Sequence, residues 1–315
     1  MSAGRVRNPG GRSALVERAS PSAHTSSNKI IEQQLDKRVQ ALENALDADI
    51  LTFSGPIVSR ADDFIRNAVE SRPQKRGGLV ILLETEGGYI EVAERIANTF
   101  RRHYGHVNFI VPNFAMSAGT VLAMSGDAIY MDYYSVLGPI DPQVQRPGGE
   151  GFVPALGYLI QYERLIEKSN QGTLTTAELA FLVQKFDPGE LYRFEQEREL
   201  SISLLKEWLV KYKFKNWKKT ETHKKKVTPK MRADRAEEIA KMLNETKEWH
   251  SHSRGIPMEV LRRKLKLLIE DFGENQVLNR AIREYYKLLN DYMMRIGASG
   301  AIHRFDNHFI PIGGG

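Results

Sequence analysis

Cysteine is absent from all 315 residues. That removes disulfide frameworks, thiol nucleophiles and Cys-based zinc sites together, and it fits a reducing compartment. Any covalent nucleophile must be a hydroxyl, an amine or a carboxylate. Long hydrophobic runs are missing too: none reaches the roughly 18–20 residues of a membrane span, and the first thirty residues hold no apolar run of the secretory kind. A cytoplasmic location without a membrane partner is therefore expected. Neither the P-loop pattern nor Gly-x-Gly-x-x-Gly occurs, so no nucleotide cofactor is expected and any ATP-driven unfolding must come from a partner. Acidic residues are scarce at the start. Residues 1–28 are rich in Arg, Ser, Gly and Pro with the single acid Glu17, which reads as a disordered leader, a transit peptide being the alternative.

What is present suffices for a core. Hydrophobic residues make up 41% of the chain, and the length suits one large domain with additions or two small ones. Ile30, Ile31, Leu35, Val39, Leu42 and Leu46 recur at helical spacing and predict an amphipathic first helix over 29–51. Strand is predicted at 50–56, then a helix over 62–71 capped near Ser59 or Asp62. Gly78-Leu79-Val80-Ile81-Leu82-Leu83 is a continuous apolar run of the kind found in parallel strands covered on both faces. A helical stretch over 90–102, a strand at 107–111, a helix from Ser117 to Met124 and a strand at 128–131 complete a strand-helix alternation that implies right-handed βαβ units. Beyond Pro147 the character changes to long charged helices, predicted over 155–169, 176–211, 229–245, 258–269 and 277–294. The Pro147-Gly148-Gly149 run reads as a hinge or exposed loop. The expected organisation is a leader at 1–28, an α/β core at 29–146, a helical extension at 147–298 that completes the site and supplies oligomer contacts, and a tail at 299–315.

In open parallel sheets ligands sit beyond the carboxyl ends of the strands. Two loops stand there: Glu84-Thr85-Glu86-Gly87-Gly88 and Pro112-Asn113-Phe114-Ala115-Met116-Ser117-Ala118-Gly119-Thr120. Paired glycines at a strand-to-helix turn let backbone approach a ligand closely and leave N–H groups ready for an anion. A serine opening the next helix lies where the dipole favours negative charge, and the Ala118 N–H could join that of Gly87 or Gly88 in an oxyanion hole. The alternative is that Ser117 is an ordinary helix cap and Gly87-Gly88 a tight turn.

Leu82 to Ile90, Met116-Ser117-Ala118-Gly119-Thr120 and Leu137-Gly138-Pro139-Ile140-Asp141-Pro142-Gln143, in this order and spacing, resemble the Clp-protease-like serine peptidases. Within these the chain is most similar to the branch called the serine dehydrogenase proteinase family, related to signal peptide peptidase A and, by fold, to the Clp proteolytic subunit and crotonases. The resemblance covers about residues 50–144 closely and continues more loosely through 249–256. It implies an α/β fold, a Clp-protease/crotonase-like parallel sheet of βαβ units with a largely helical C-terminal half. It also implies a serine hydrolase acting on peptides, with Ser117 as nucleophile and Gly87 or Gly88 with Ala118 as oxyanion donors. Where the Clp proteolytic subunit has its histidine, this sequence holds Ile140-Asp141-Pro142, which argues against a Ser-His-Asp triad. The relatives of signal peptide peptidase A use a lysine base, and Lys168 is the best placed by sequence, an exposed helix-end lysine being the alternative. Glu86 stands where the family commonly has proline; with Glu84 it could bind a substrate amine or simply offset a helix dipole. Asp141 and His252 are accessory candidates. His250 and His252 have no third ligand at a zinc spacing, so no metal is expected.

Lys211, Lys213, Lys215, Lys218, Lys219, Lys224, Lys225, Lys226, Lys230 and Arg232 are interleaved with Trp208, Tyr212, Phe214 and Trp217. Such a pattern can hold phosphates and stack bases. Leu204, Leu205, Trp208 and Leu209 also keep a helical stripe, which instead makes the aromatics core beneath a solvated basic face; nucleic acid is the secondary expectation. Proteins of this architecture resemble one another in assembling through sheet edges and helical arms, so a homo-oligomer is expected. The competing functional readings are a catalytically silent scaffold or regulatory subunit that binds a protein or nucleic acid, and crotonase-type acyl-CoA chemistry at the same turns.

Overall fold

The computed structural model describes residues 22–140, 143–145, 152–220, 223–245 and 254–313. The Pro147 hinge, Asp141, His250 and His252 lie outside these residues. Helix α1 (Ser22–Leu46) begins inside the segment read as a leader. Then follow β1 (Asp49–Ser54), α2 (Ala61–Glu70), β2 (Gly78–Glu84), α3 (Ile90–His103), β3 (His106–Ile110), β4 (Phe114–Ala115), α4 (Ala118–Met124) and β5 (Ala128–Met131) in the expected alternation. Short strands β6 (Val136–Leu137), β7 (Gln143–Gln145) and β8 (Phe152–Pro154) lead into α5 (Ala155–Asn170), α6 (Thr176–Lys185), α7 (Pro188–Trp208) and α8 (Pro229–Asn244). The chain ends with β9 (Ile256–Pro257), α9 (Met258–Arg263), β10 (Glu270–Asp271), α10 (Gln276–Ile296), β11 (Gly300–Arg304) and β12 (His308–Ile312).

The main sheet has the order β10-β5-β3-β2-β1-β11-β12. From β10 to β1 all neighbours are parallel, and β11 and β12 are antiparallel additions beside β1. Two-residue alternation divides each apolar strand between two helical layers. Leu79, Ile81 and Leu83 pack with α2, α3, α4 and α8, while Val80 and Leu82 pack with α1 and α10. This is why β2 reads as an unbroken apolar run: both faces are covered.

Through residue 313 the segment expected as a tail over 299–315 is ordered into the fold. Gly300 to Ile312 supply two strands of the main sheet, hidden in the sequence because polar residues stand at buried positions. His303 Nε2 lies 3.1 Å from Asp36 and its Nδ1 2.9 Å from the Tyr285 hydroxyl, and Arg304 donates to Ser71 Oγ at 3.1 Å. Buried polar groups are tolerated when hydrogen-bonded, so alternation by hydropathy fails here.

Three helix boundaries also differ. The stretch 176–211 is two helices, because Pro188 begins α7 and Asp187 Oδ1 accepts from the N–H groups of Gly189 and Glu190 at 2.8 and 3.0 Å. Proline suits a first helical position but not an interior, and Asp is a favoured cap. Helix α2 follows Arg60 at φ 76° with no side-chain cap; neither Ser59 nor Asp62 caps it, and Asp62 instead pairs with Arg95 at 2.8 Å. Helix α9 stops at Arg263 rather than 269, before a turn at Lys266 with φ 45°.

The aromatics of the basic stretch are built into the fold, while Lys211, Lys218, Lys219, Lys224, Lys225, Lys226 and Lys230 are exposed. Trp208 and Phe214 are buried, and Tyr212 and Trp217 pack against the same core. Lys206 pairs with Glu237 and Lys215 with Asp127. Lys213 is driven down to about 8 by burial, partly offset by Glu270 and Asp127. Aromatics engaged in this way are not stacking platforms for bases.

Candidate active site

The loops after β2 and β3 meet at the carboxyl end of the sheet and are sewn together through Thr85. Its N–H donates to Phe114 O at 3.2 Å, and its carbonyl accepts from Met116 N–H at 2.9 Å. The Thr85 Oγ1 accepts from Gly87 N–H at 3.0 Å. A Cβ on Gly119 would lie 2.3 Å from Thr85 Cγ2, so glycine at that position lets α4 close against this threonine.

Gly87 and Gly88 are both forced by geometry. They hold φ 96° and 141°, values side chains rarely adopt. A Cβ on Gly87 would stand 2.7 Å from Met116 O and 2.8 Å from Ser117 Cβ, which brings this glycine directly against the serine. Gly88 is clasped by Ile57, whose N–H donates to Gly87 O and whose carbonyl accepts from Tyr89 N–H, both at 2.8 Å.

Ser117 precedes α4 at φ 51°, ψ −119° and makes no side-chain capping bond. The capping alternative is thereby answered: an ordinary cap has extended backbone and accepts from the helix, whereas this residue is strained by about 1–3 kcal/mol. Strain of that size persists where the surroundings over-determine it. Here the N–H groups of Thr120 and Val121 bond to Ser117 O at 2.9 and 3.2 Å, and Gly119 N–H bonds to Met116 O at 2.8 Å. Thr120 Oγ1 lies 2.8 Å from the carbonyls of Ala115 and Gly138 and accepts from Gly138 N–H at 3.0 Å. The side chain thus ties the Ser-Ala-Gly-Thr turn to the Leu-Gly-Pro segment. The Ala118 and Gly88 N–H groups have no acceptor among the described residues. Gly87, by contrast, has given its donor to Thr85.

Sequence reasoning missed a polar brace beside these loops. The Tyr286 hydroxyl, from α10, donates to Glu84 and accepts from Asn113 Nδ2 at 3.0 Å, joining the ends of β2 and β3 from the far face of the sheet. Burial first, and Glu84 next, push its pKa up to about 12. Glu84 is thus engaged with a phenol, while Glu86 is exposed. No local pattern marks Tyr286, because its partners Glu84 and Asn113 are remote in the chain.

Lys168 lies near the end of α5, where its ammonium pairs with Glu178 of α6. Its side chain is 41% exposed. Glu178 is also half of a capping box with Thr175, and these bonds, led by that to Lys168, lower its pKa to about 2. Tyr158, Leu159, Tyr162, Phe186, Leu191 and Phe194 form a small cluster of their own beneath this arm. The structure therefore brings Ser117, Gly87, Gly88 and Ala118 together and gives Lys168 a carboxylate partner.

A parallel α/β core with a strained serine at the start of a buried helix, facing a glycine pair, defines a serine hydrolase of the Clp-like fold class. Residues 56–185 match the family described as ClpP-like SDH-type serine proteinase, and the chain is a serine peptidase. It is 28% identical over 288 residues to the uncharacterized protein MJ1495 of Methanocaldococcus jannaschii, covering 90% of this chain and 79% of that one. It is 32% identical over 116 residues to MJ0137 of the same organism, covering 37% and 38%. Among solved structures it is similar to a mutant of the 1510-N membrane-bound stomatin-specific protease, at 12% identity and TM-score 0.42, covering 72% of this chain and 81% of that one. It is also similar to the ClpP protease catalytic domain from Plasmodium falciparum, at 14% identity and TM-score 0.28, covering 32% and 58%. No helix among the described residues is long and apolar enough to cross a membrane.

Proposed function

We propose that Ser117 Oγ attacks the carbonyl carbon of a peptide bond while the N–H groups of Gly88 and Ala118 hold the oxyanion. The hydroxyl proton passes to Lys168, which must exchange Glu178 for Ser117 and enter the step as a neutral amine. That proton then goes to the departing amine, and water hydrolyses the acyl-serine to release a carboxylic acid. The observation that carries the reading is the backbone of Ser117, at φ 51° and without a capping bond. Two donors freed at facing turns support the oxyanion assignment. A cytoplasmic location accords with the cysteine-free composition.

Exposure of the assembled protein to a fluorophosphonate, followed by intact-mass analysis, tests this. A single adduct is expected, absent in Ser117→Ala, diminished in Lys168→Ala and increased in Glu178→Gln, which releases the lysine. No adduct on the wild type removes Ser117 as nucleophile. An adduct undiminished in Lys168→Ala removes only the lysine.

We assign the α5–α6 arm to contacts between copies of the chain. Helix α6 has no buried residue and exposes Leu179, Phe181 and Val183, apolar surface that a partner would cover. Sedimentation should give a homo-oligomer that Phe181→Glu weakens; a monomer at working concentration would overturn this.

A further inference from the structure

A cavity of about 440 Å³ opens at the amino ends of β1 and β2, the opposite end of the sheet from Ser117, between the end of α1, the loop before β2 and the β11–β12 turn. Glu43, Arg72, Lys75, Arg76, Arg304 and Asp306 line it. Two of the cations are already neutralised. Arg72 pairs with Glu43 at 2.8 Å and Asp49 at 3.0 Å, and both acids are buried. Arg76 pairs with Asp47 at 3.3 Å and donates to Asn44 at 2.8 Å.

The other two cations have only neutral acceptors. Arg304 is 6% exposed; its guanidinium donates to Phe305 O at 2.9 Å and Ser71 Oγ at 3.1 Å, and its Nε has no partner among the described residues. Burial, and then the neighbouring Arg72, depress its basicity. Lys75 donates to Arg72 O at 3.1 Å. Neither has a carboxylate within 4 Å among the described residues, and Asp306 sits exposed on the rim. Burying a guanidinium without a counter-charge is strongly unfavourable.

We propose that this cleft binds a phosphate group, as the free ion or as a small monoester, between Arg304 and Lys75. Arg304 and Lys75 have no carboxylate within direct reach among the described residues, and a phosphate has more acceptor oxygens than a carboxylate with which to bond a guanidinium and an ammonium at once. The planar guanidinium fork and the mobile ammonium are complementary donors for its oxygens. The cavity has room for a small organic substituent beyond the phosphate itself.

Isothermal titration at constant ionic strength, with inorganic phosphate, phenyl phosphate and acetate as probes against a chloride background, tests the proposal. Inorganic phosphate is expected to bind the wild type. Lys75→Ala, on the exposed rim, should weaken it about tenfold or more, the loss of one charge-assisted bond. Asp306→Asn should tighten it by removing the repelling carboxylate. Phenyl phosphate binding more tightly than the ion would identify a monoester, and the reverse order the free ion. Arg304→Gln should also abolish binding, and Lys75→Ala with Asp306→Asn decide the matter if that variant fails to fold. Acetate binding as well as phosphate, no binding by wild type, or unchanged affinity in both rim variants would overturn the assignment.

Discussion

Ser117→Ala should reduce peptide hydrolysis by a factor on the order of 10⁴ or more while leaving the chain folded. The oxygen proposed as nucleophile disappears, and the β-carbon, which already meets Gly87, stays in place. Ser117→Gly should be equally inactive and yet more stable than Ser117→Ala. At φ 51°, ψ −119° glycine adopts the backbone without the steric cost that alanine and serine share, and the relief is about 1–2 kcal/mol against a smaller entropic cost in the unfolded chain. Urea unfolding of the two variants beside the wild type measures this. Equal stability of the glycine and alanine variants would mean that the turn carries no strain, and residual hydrolysis above about one per cent of wild type, against the expected loss, would assign the chemistry elsewhere.

Gly88→Ala should be the most damaging single-methyl change at the site, lowering stability by about 2–5 kcal/mol and abolishing turnover. Its Cβ would lie 2.2 Å from Ile57 O and 2.8 Å from Ile57 C. Ile57 cannot withdraw without breaking the two bonds that clasp this glycine. Displacement would also carry away the N–H assigned to the oxyanion. Gly77→Ala is the control: a Cβ there has nothing within 4 Å, so stability should change by no more than about 0.5 kcal/mol. Thermal and urea unfolding of both variants, with fluorophosphonate labelling of the folded fraction, separate collapse of the turn from loss of the donor. A Gly88→Ala protein that keeps wild-type stability and turnover would refute the placement of this residue.

The parallel core was legible because its physics is local. Apolar β2, β3 and β5 alternate with helices α3 and α4, whose periodicity shows one face each, and strands covered on both sides have little choice but to be uniformly apolar. The glycine pair and Ser-Ala-Gly-Thr were legible as a facing set because the ends of neighbouring parallel strands must lie side by side. Less visible were β11 and β12, since His303 and Arg304 satisfy their polar groups with Asp36, Tyr285 and Ser71, residues remote in the chain. The Tyr286 brace was hidden for the same reason: Glu84 and Asn113 reach it only after α10 has packed across the sheet.

By itself the sequence determined the fold class and where the candidate site would sit: no thiol, a serine at a strand-to-helix turn, glycines on the adjoining loop, and apolar strands that must be parallel and covered. Tertiary structure alone decided which glycine keeps its N–H available, because Thr85 takes that of Gly87. It alone set Ser117 at positive φ and engaged Lys168 with Glu178. These outcomes depend on hydrogen bonds and close contacts between separate segments, whose geometry exists only once the helices have packed on the sheet, whereas periodicity and turn chemistry act between neighbours along the chain.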